Sequence, residues 1–333
     1  MAKISIMGAG SWGSALARIL GDNGNDALIY VVDKNIVDEI NNFHTNKDKL
    51  PVGSLPLNVN ATFNIEEAVD YSDVIVLSVP TKVLRVVLKN INSCIKNKKL
   101  FINTSKGIEP ETYLRVSEIV NQEINNDFIK GFVALTGPSH AEEVIKQQLT
   151  IVCSVCETNE YAVLVQQLFN NPHYFRVYTS SDLIGAEICG ALKNIYAIAS
   201  GMLYGLGLGD NARAGLISRA LVEMKRFCLF ANANEETVFG LTGLGDLVVT
   251  TTSHHSRNFQ AGVKLATGSN LEETIASMTM VVEGARTVQA AYQKALELNI
   301  EVPIIEEVYK VIYNHKSVQN AVNDLMSRSL KKE

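Results

Sequence analysis

The chain has 333 residues, of which 47% are hydrophobic and 20% are charged, a balance typical of a folded globular protein rather than a disordered one. Its length predicts about two domains with substantial apolar cores. The formal net charge of −5 argues against a general nucleic-acid-binding protein. An odd number of cysteines favours reduced thiols and a cytoplasmic location over a disulfide scaffold.

Short apolar runs alternate with helical patterns through residues 1–180. Runs rich in β-branched residues between helices predict a parallel sheet covered on both faces, which is the doubly wound α/β plan. The predicted strands lie, in chain order, in KISIMGAG, DALIYVVD, SDVIVLSVP, KLFINTSKG, GFVALTGP, LTIVCSV and YFRVYTS.

The first predicted strand runs into GAGSWG, which fits the pattern GxGxxG and opens a helical pattern. In that context Gly8 permits a tight turn, Gly10 lets a pyrophosphate approach the backbone, and Gly13 lets helix and strand pack closely. The N-terminus of the helix offers free N–H groups to phosphate. We therefore predict a dinucleotide-binding, Rossmann-type domain over residues 1–180; the alternative is a purely structural glycine turn.

Asp33 bears on which dinucleotide is bound, because it lies beyond the second predicted strand, twenty residues after Gly13. A carboxylate there accepts hydrogen bonds from the ribose hydroxyls of NAD and repels the 2′-phosphate of NADP. Lys34 follows directly and partly offsets that repulsion. The sequence leaves both NAD and NADP open and favours NAD.

Helical periodicity replaces the strand pattern after about residue 181. Helical segments are predicted over 182–203, 211–231, 283–298 and 304–313, with Pro303 at a first helical turn. The most apolar stretch, 188–209, contains Lys193 and Asn194, so it predicts a core helix rather than a membrane span. Residues 181–333 therefore form a mostly α-helical second domain in this prediction.

Two lysines, an aspartate and an arginine are the candidates for chemistry. Lys193 interrupts an apolar helix, and a buried ammonium needs a partner, an escape to water or a function. Lys106 follows a predicted strand, Asp246 lies in a glycine-rich loop, and Arg257 stands at a predicted helix start. An anionic substrate beside a nicotinamide would use such a set. The alternatives are a snorkelling Lys193, a surface turn at Lys106, a helix cap at Asp246 and a solvated Arg257.

No metal site is predicted. Cys153 and Cys156 form a lone CxxC without a second ligand pair, so buried strand thiols are the favoured interpretation. His254 and His255 are adjacent, and no Cys or acid accompanies them at ligand spacing, so a solvated loop is favoured there.

The motifs GAGSWG, SKGIE, GPS, ALKN, GDNARA, GLGDLVVT, SRN and VVEG occur together and in this order. In this set and spacing the chain resembles the bacterial NAD(P)-dependent glycerol-3-phosphate dehydrogenases nearly end to end. The resemblance implies reversible reduction of dihydroxyacetone phosphate to sn-glycerol 3-phosphate, which supplies phospholipid synthesis, and it implies a homodimer.

The resemblance also implies roles for individual residues. Lys193 would donate and accept the proton, Lys106 would bind substrate and cofactor, and Asp246 would orient Lys193 and the substrate. Further substrate contacts are implied for Gly137, Ser139, Ser256, Arg257 and Asn258. Cofactor contacts are implied for Ser11, Trp12, Ala141, Arg257, Val281 and Glu283, in addition to Gly8, Gly10, Gly13 and Asp33.

One position departs from the family pattern. Many members carry Arg or His just before the acid that ends the second strand, where it binds the 2′-phosphate of NADPH, whereas this chain has Val31 and Val32. NADH is therefore the favoured cofactor. Two other functions stay open on the residues alone: a dehydrogenase of the β-hydroxyacid or ketopantoate type, and an NAD-binding sensor or structural protein without turnover.

Overall fold

Eight strands form one sheet in the computed structural model, which describes residues 1–278, 282–330 and 332. The order across the sheet is β3-β2-β1-β4-β5-β6-β7-β8, and neighbouring strands are parallel except β6 and β7. The strands are β1 (Lys3–Met7), β2 (Asp26–Tyr30), β3 (Val59–Thr62), β4 (Val74–Leu77), β5 (Lys99–Asn103), β6 (Ile129–Thr136), β7 (Thr150–Val155) and β8 (Phe175–Ser180).

The doubly wound α/β prediction is confirmed, with two differences in the sheet. The edge strand β3 was not predicted, because its four residues, VNAT, are too short to show a pattern. The sequence also predicted a parallel sheet throughout, which is wrong for β6 and β7. A parallel connection needs a crossover that is usually a full helix, and the chain between these strands carries the four-residue helix α6 (Ala141–Val144).

The described chain divides into two compact units. The first comprises Met1–Lys106 and Arg115–Ala186, and the second comprises Gly107–Leu114 and Glu187–Glu333. Besides α6, the helices of the first unit are α1 (Ser11–Asp22), α2 (Lys34–Phe43), α3 (Ile65–Tyr71), α4 (Thr81–Cys94), α5 (Val116–Glu123) and α7 (Asn159–Phe169).

The second unit is built from helices. Strands are absent from residues 187–278 and 282–330, as predicted, and Pro303 begins a helix. The unit boundary falls inside α8 (Leu183–Gly205). The other helices are α9 (Asp210–Phe230), α10 (Asp246–Thr252), α11 (Arg257–Ala266), α12 (Leu271–Ala276), α13 (Glu283–Glu297), α14 (Pro303–Tyr313) and α15 (Val318–Met326). Within the described ranges, no helix is both long and apolar enough to cross a membrane.

Glycines let α8 and α11 cross at backbone contact in the second unit. A Cβ at Gly201 would lie 1.9 Å from the carbonyl oxygen of Phe259, and one at Gly262 would lie 2.0 Å from that of Ile198. Any larger residue would force the helices apart. This close crossing sets the start of α11 beside the buried middle of α8, where Lys193 lies.

Glu223 of α9 is a buried carboxyl at the first turn of α14. The N–H groups of Ile304 and Ile305 donate to its oxygens at 2.7 and 3.3 Å, and Tyr196 Oη donates at 3.3 Å. Burial is the largest influence and raises the Glu223 pKa to about 7, although these hydrogen bonds and the Arg226 charge act in the opposite direction.

We expect the free energy of unfolding to fall as pH rises from about 4.5 to about 7, through Glu223. The folded state holds the proton more tightly than the unfolded chain, whose ordinary pKa is 4.5, so raising the pH through this window favours unfolding. One pKa unit corresponds to 1.36 kcal/mol, which makes the full effect about 3 kcal/mol. Denaturant titrations at several pH values would show this slope in the parent and lose it in Glu223→Gln. The exposed Glu297→Gln is the matched control, and an unchanged slope in Glu223→Gln would contradict the assignment.

Candidate functional site

The turn after β1 has the geometry that its glycines predict. Gly8 has φ 115°, in the left-handed region that favours glycine. A Cβ at Gly13 would lie 2.1 Å from the carbonyl oxygen of Gly8, so only glycine lets α1 start this close to the strand end. The turn therefore brings the N-terminus of α1 to the carboxyl edge of the sheet, where ligands of this fold class bind.

The residues at the start of α1 fit a bound dinucleotide phosphate. A Cβ at Gly10 would meet no described atom within 4 Å, so the backbone there is open to close approach. Trp12 Nε1 is buried and has no hydrogen-bond partner among the described residues. An unpartnered buried donor and the N-terminus of a helix are both features that suit an anionic ligand. Ser11 is already engaged, because its Oγ donates to the Lys49 carbonyl at 2.5 Å.

Asn46 is a residue of this turn that sequence reasoning missed. It is 3% exposed, and its Nδ2 donates to the Ala9 carbonyl at 2.8 Å and to Ser14 Oγ at 2.9 Å. It therefore fixes both the glycine turn and the first turn of α1. Because Asn46 lies 32 residues beyond Ser14 in an irregular loop, no local pattern signals this contact.

Asp33 caps α2. Its side chain accepts from the Asn35 N–H at 2.9 Å, and its residue is exposed. An exposed carboxylate has further lone pairs, so capping leaves it able to accept from a ribose.

The ends of β5 and β6 bring together three predicted site residues. Lys106 Nζ donates to the Gly137 carbonyl at 3.2 Å, and Ser139 Oγ donates to the same oxygen at 2.9 Å. Gly137 has φ 137°, which turns the chain sharply after β6. Ala141 follows as the first residue of α6 and is buried. The two strand ends thus form one polar group of the first unit.

Lys193 is buried in the second unit and is paired there. It is 6% exposed, and its Nζ lies 2.5 Å from Asp246 Oδ1 and 2.8 Å from Thr250 Oγ1. Asp246 is 1% exposed. In a low-dielectric interior such a charged pair is strongly coupled. A snorkelling lysine would reach water instead, so that alternative is wrong.

A π-helical turn, Leu241–Gly245, delivers Asp246 to this pair. Asp246 is the first residue of α10 rather than its cap, so the capping alternative is also wrong. Thr250 stands one turn later on the same face, with its hydroxyl donating to the Asp246 carbonyl at 2.5 Å. Sequence reasoning missed Thr250, although its spacing of four from Asp246 signals a shared helix face.

A second polar cluster joins α8, α11 and α13. Asn258 Nδ2 donates to Asn194 Oδ1 at 3.0 Å, and the Gly284 N–H donates to Asn258 Oδ1 at 2.9 Å. Asn194 directly follows Lys193, so this cluster continues the buried pair. Asn194 was not among the predicted site residues.

The start of α11 is a capped helix N-terminus. Ser256 is its cap and accepts from the Phe259 N–H at 3.3 Å, and Arg257 is the first helical residue. Glu283 is likewise the first residue of α13. Val281, a predicted cofactor contact, lies outside the described residues.

Nothing in the described ranges gathers three or more His, Cys, Asp or Glu side chains as a metal site would. None of the five cysteines forms a disulfide. Cys153 lies in β7, where burial raises the pKa of its thiol to about 11. A thiol with so high a pKa is a poor ligand and nucleophile at neutral pH.

Comparisons with known proteins cover nearly the whole chain. Residues 3–162 match the family model described as the NAD-dependent glycerol-3-phosphate dehydrogenase N-terminus, and residues 182–323 match the model of its C-terminus. A glycerol-3-phosphate dehydrogenase [NAD(P)+] of Acholeplasma laidlawii is 48% identical over 99% of both chains. One from Bacillus cytotoxicus is 49% identical over 100% of this chain and 97% of its own. The crystal structure of glycerol-3-phosphate dehydrogenase from Coxiella burnetii superposes with a TM-score of 0.92 at 32% identity, covering 98% of this chain and 99% of that one.

Proposed function

The chain belongs to the family of NAD-dependent glycerol-3-phosphate dehydrogenases, and we propose on that basis that Lys193 donates the proton in its reaction. That reaction is the reversible reduction of dihydroxyacetone phosphate to sn-glycerol 3-phosphate with NADH or NADPH. The observation that carries the proposal is the buried pair of Lys193 and Asp246, completed by Thr250.

The chemistry requires a cation where negative charge develops. When bound, the nicotinamide would supply a hydride to the carbonyl carbon of the substrate. The carbonyl electron pair moves to oxygen, and Lys193 stabilises that charge and gives its proton to the oxygen. A positioned acid contributes about 10²–10⁴-fold to the rate. Asp246 and Thr250 fix the ammonium in place, so no reorganisation is needed as the charge forms.

Lys106, Gly137 and Ser139 act on the substrate in this proposal. Lys106 supports the developing oxyanion as a second cation and contacts the cofactor. Its hydrogen bond to the Gly137 carbonyl, which Ser139 shares, supports a common role for these strand ends.

Ser256, Arg257 and Asn258 bind the substrate phosphate in this proposal. The guanidinium of Arg257 offers a planar fork of donors that matches phosphate oxygens, and it also reaches the cofactor. The ten-residue helix α11 presents its N-terminus at the same place, which favours an anion. Asn258 additionally holds α8 and α13 in register through Asn194 and Gly284.

Residues 1–180 hold the dinucleotide in this proposal, and residues 181–333 carry substrate binding and proton transfer. Gly8, Gly10 and Gly13 shape the pyrophosphate site, with Ser11 and Trp12 at the start of α1. Ala141, Val281 and Glu283 are further cofactor contacts. The open backbone at Gly10 and the orphaned indole N–H of Trp12 support this assignment.

We expect NADH to be the preferred cofactor and Asp33→Ser to move the preference toward NADPH. Asp33 repels a 2′-phosphate, whereas Ser removes the charge and can still cap α2. Rates of NADH and NADPH oxidation with dihydroxyacetone phosphate would show the NADPH/NADH ratio of kcat/KM rising about tenfold, which corresponds to one lost charge–charge repulsion of about 1.4 kcal/mol.

Asp38→Ser is the matched control, since Asp38 lies on the exposed face of the same helix. An unchanged cofactor ratio in Asp33→Ser would remove Asp33 from the ribose site. Failure of the parent to oxidise either cofactor with this substrate would contradict the proposed function itself.

We also propose a homodimer in the cytoplasm that supplies sn-glycerol 3-phosphate for phospholipid synthesis. Large apolar side chains at the ends of α8 and α9 support pairing with a second copy: Tyr204 is 45%, Leu229 51% and Phe230 53% exposed. The molecular mass in solution tests the pairing. Five cysteines with no disulfide among them support a reducing compartment.

A further inference from the structure

The segment Gly107–Leu114 directly follows Lys106 but belongs to the second unit. It folds on itself, because the Tyr113 N–H donates to the Glu109 carbonyl at 2.8 Å and the Glu109 N–H donates to the Leu114 carbonyl at 3.1 Å. Thr112 Oγ1 also bonds to the Glu109 carboxylate. The segment is therefore a compact loop closed by hydrogen bonds. Because it follows Lys106 directly in the chain, a displacement of the loop would also move the backbone of Lys106.

Tyr113 has φ 59°, the left-handed conformation that favours glycine. For a bulky residue this conformation is a true outlier and points to strain that the surroundings hold in place. Glycine at this position would adopt the same backbone conformation without strain. The tyrosine side chain must therefore make contacts that offset the strain.

Those contacts are with α13. Tyr113 Oη donates to Gln293 Oε1 at 3.1 Å, and Lys294 Nζ lies 5.5 Å from the centre of the Tyr113 ring. The hydrogen bond and the cation–π contact together fasten the loop to a helix whose first residue is Glu283, at the other end.

We propose that Tyr113 is a positioning residue that holds Lys106 for the reaction by anchoring the loop Gly107–Leu114 to α13. The proposal rests on the role proposed above for Lys106. The side chain of Lys106 is held by the hydrogen bond from its Nζ to the Gly137 carbonyl. Its backbone is held on the C-terminal side by this loop. Loss of the contacts between the loop and α13 lets the backbone of Lys106 shift. Displacements of about 1 Å are enough to lower the rate of a reaction that depends on accurately positioned groups.

The test is Tyr113→Gly, because glycine relieves the backbone strain and removes only the anchor. We expect kcat/KM for dihydroxyacetone phosphate to fall about tenfold, with no loss in thermal unfolding temperature. Tyr113→Phe keeps the ring over Lys294 and loses the hydrogen bond to Gln293. Its kcat/KM should lie between those of the parent and Tyr113→Gly, as should that of Gln293→Leu. Asn299→Gly is the matched control, since Asn299 has φ 53° in the same unit and should keep parental kcat/KM.

A double-mutant cycle with Lys106→Met separates positioning from a general structural effect. We expect Tyr113→Gly to have no further effect once Lys106 is gone. Two results would overturn the inference if Lys106→Met is itself impaired. One is an equal loss of kcat/KM from Tyr113→Gly with Lys106 present and with Lys106→Met. The other is parental kcat/KM in the single variant Tyr113→Gly. Parental kcat/KM in Lys106→Met would instead overturn the proposed role of Lys106 and this inference with it.

Discussion

Lys193→Met is expected to lower kcat for dihydroxyacetone phosphate reduction by at least about 10²-fold, because it removes the proposed proton donor. Methionine keeps the length and apolar stem of the lysine, so the packing of α8 is disturbed little. The ammonium that lies 2.5 Å from Asp246 Oδ1 is lost. Steady-state rates with NADH over a range of substrate concentrations would show the effect in kcat.

Removing Lys193 also takes away the positive charge beside the buried carboxylate of Asp246. Breaking a buried ion pair in this way destabilises a protein by about 3–5 kcal/mol. The double variant Lys193→Met/Asp246→Asn removes that stranded charge. It should recover stability in denaturant titration without recovering kcat. Stability and proton donation are separated in this way.

Lys99→Met is the control for loss of a buried lysine. Lys99 is 2% exposed, and its Nζ donates to the Ser72 carbonyl at 2.8 Å at the start of β5. We expect a loss of stability with parental kcat. A loss of less than tenfold in Lys193→Met would contradict proton donation by Lys193.

Arg257→Leu has the second largest expected effect, a loss of about 10²-fold in kcat/KM for dihydroxyacetone phosphate. Hydrogen bonds to charged groups contribute about 1.5–3 kcal/mol each, and a guanidinium offers two in parallel to phosphate. Any turnover of unphosphorylated dihydroxyacetone should fall by a smaller factor, since that substrate has no phosphate to bind and loses only the proposed contact of Arg257 with the cofactor. Kinetics with both substrates would measure the difference.

Arg328→Leu serves as the matched control for the loss of an arginine. Arg328 pairs with Glu301 near the end of the chain, and its loss should leave both substrates unaffected. An equal loss for both substrates in Arg257→Leu would instead indicate a defect in folding or in cofactor binding, and the phosphate assignment would fail.

Local patterns predicted most of the architecture because the forces behind them act over a few residues. The glycine spacing of the turn after β1 predicted a tight turn at Gly8 and close packing of helix and strand at Gly13, and the structure has both. The helix beginning at Pro303 followed from the preference of proline for the first helical turn, and the predicted helix start at Arg257 is also found. The edge strand β3 was not predicted, because its four residues are too few to show a periodic pattern.

Pairing between distant segments was beyond such patterns. The reversed direction of β7 beside β6 depends on how the chain returns to the sheet, not on the composition of either strand. Thr250, Asn194 and Asn46 become site residues through partners that are up to 64 positions away in the chain.

The sequence by itself determined a Rossmann-type sheet followed by helices, together with the residue types needed for a dehydrogenase, because periodicity and turn chemistry are written within short windows. Only the tertiary structure decided that Lys193 is buried against Asp246 and Thr250, and that Tyr113 ties the loop after Lys106 to α13. The physical reason is that burial and charge pairing arise from long-range packing, which no short stretch of the chain encodes.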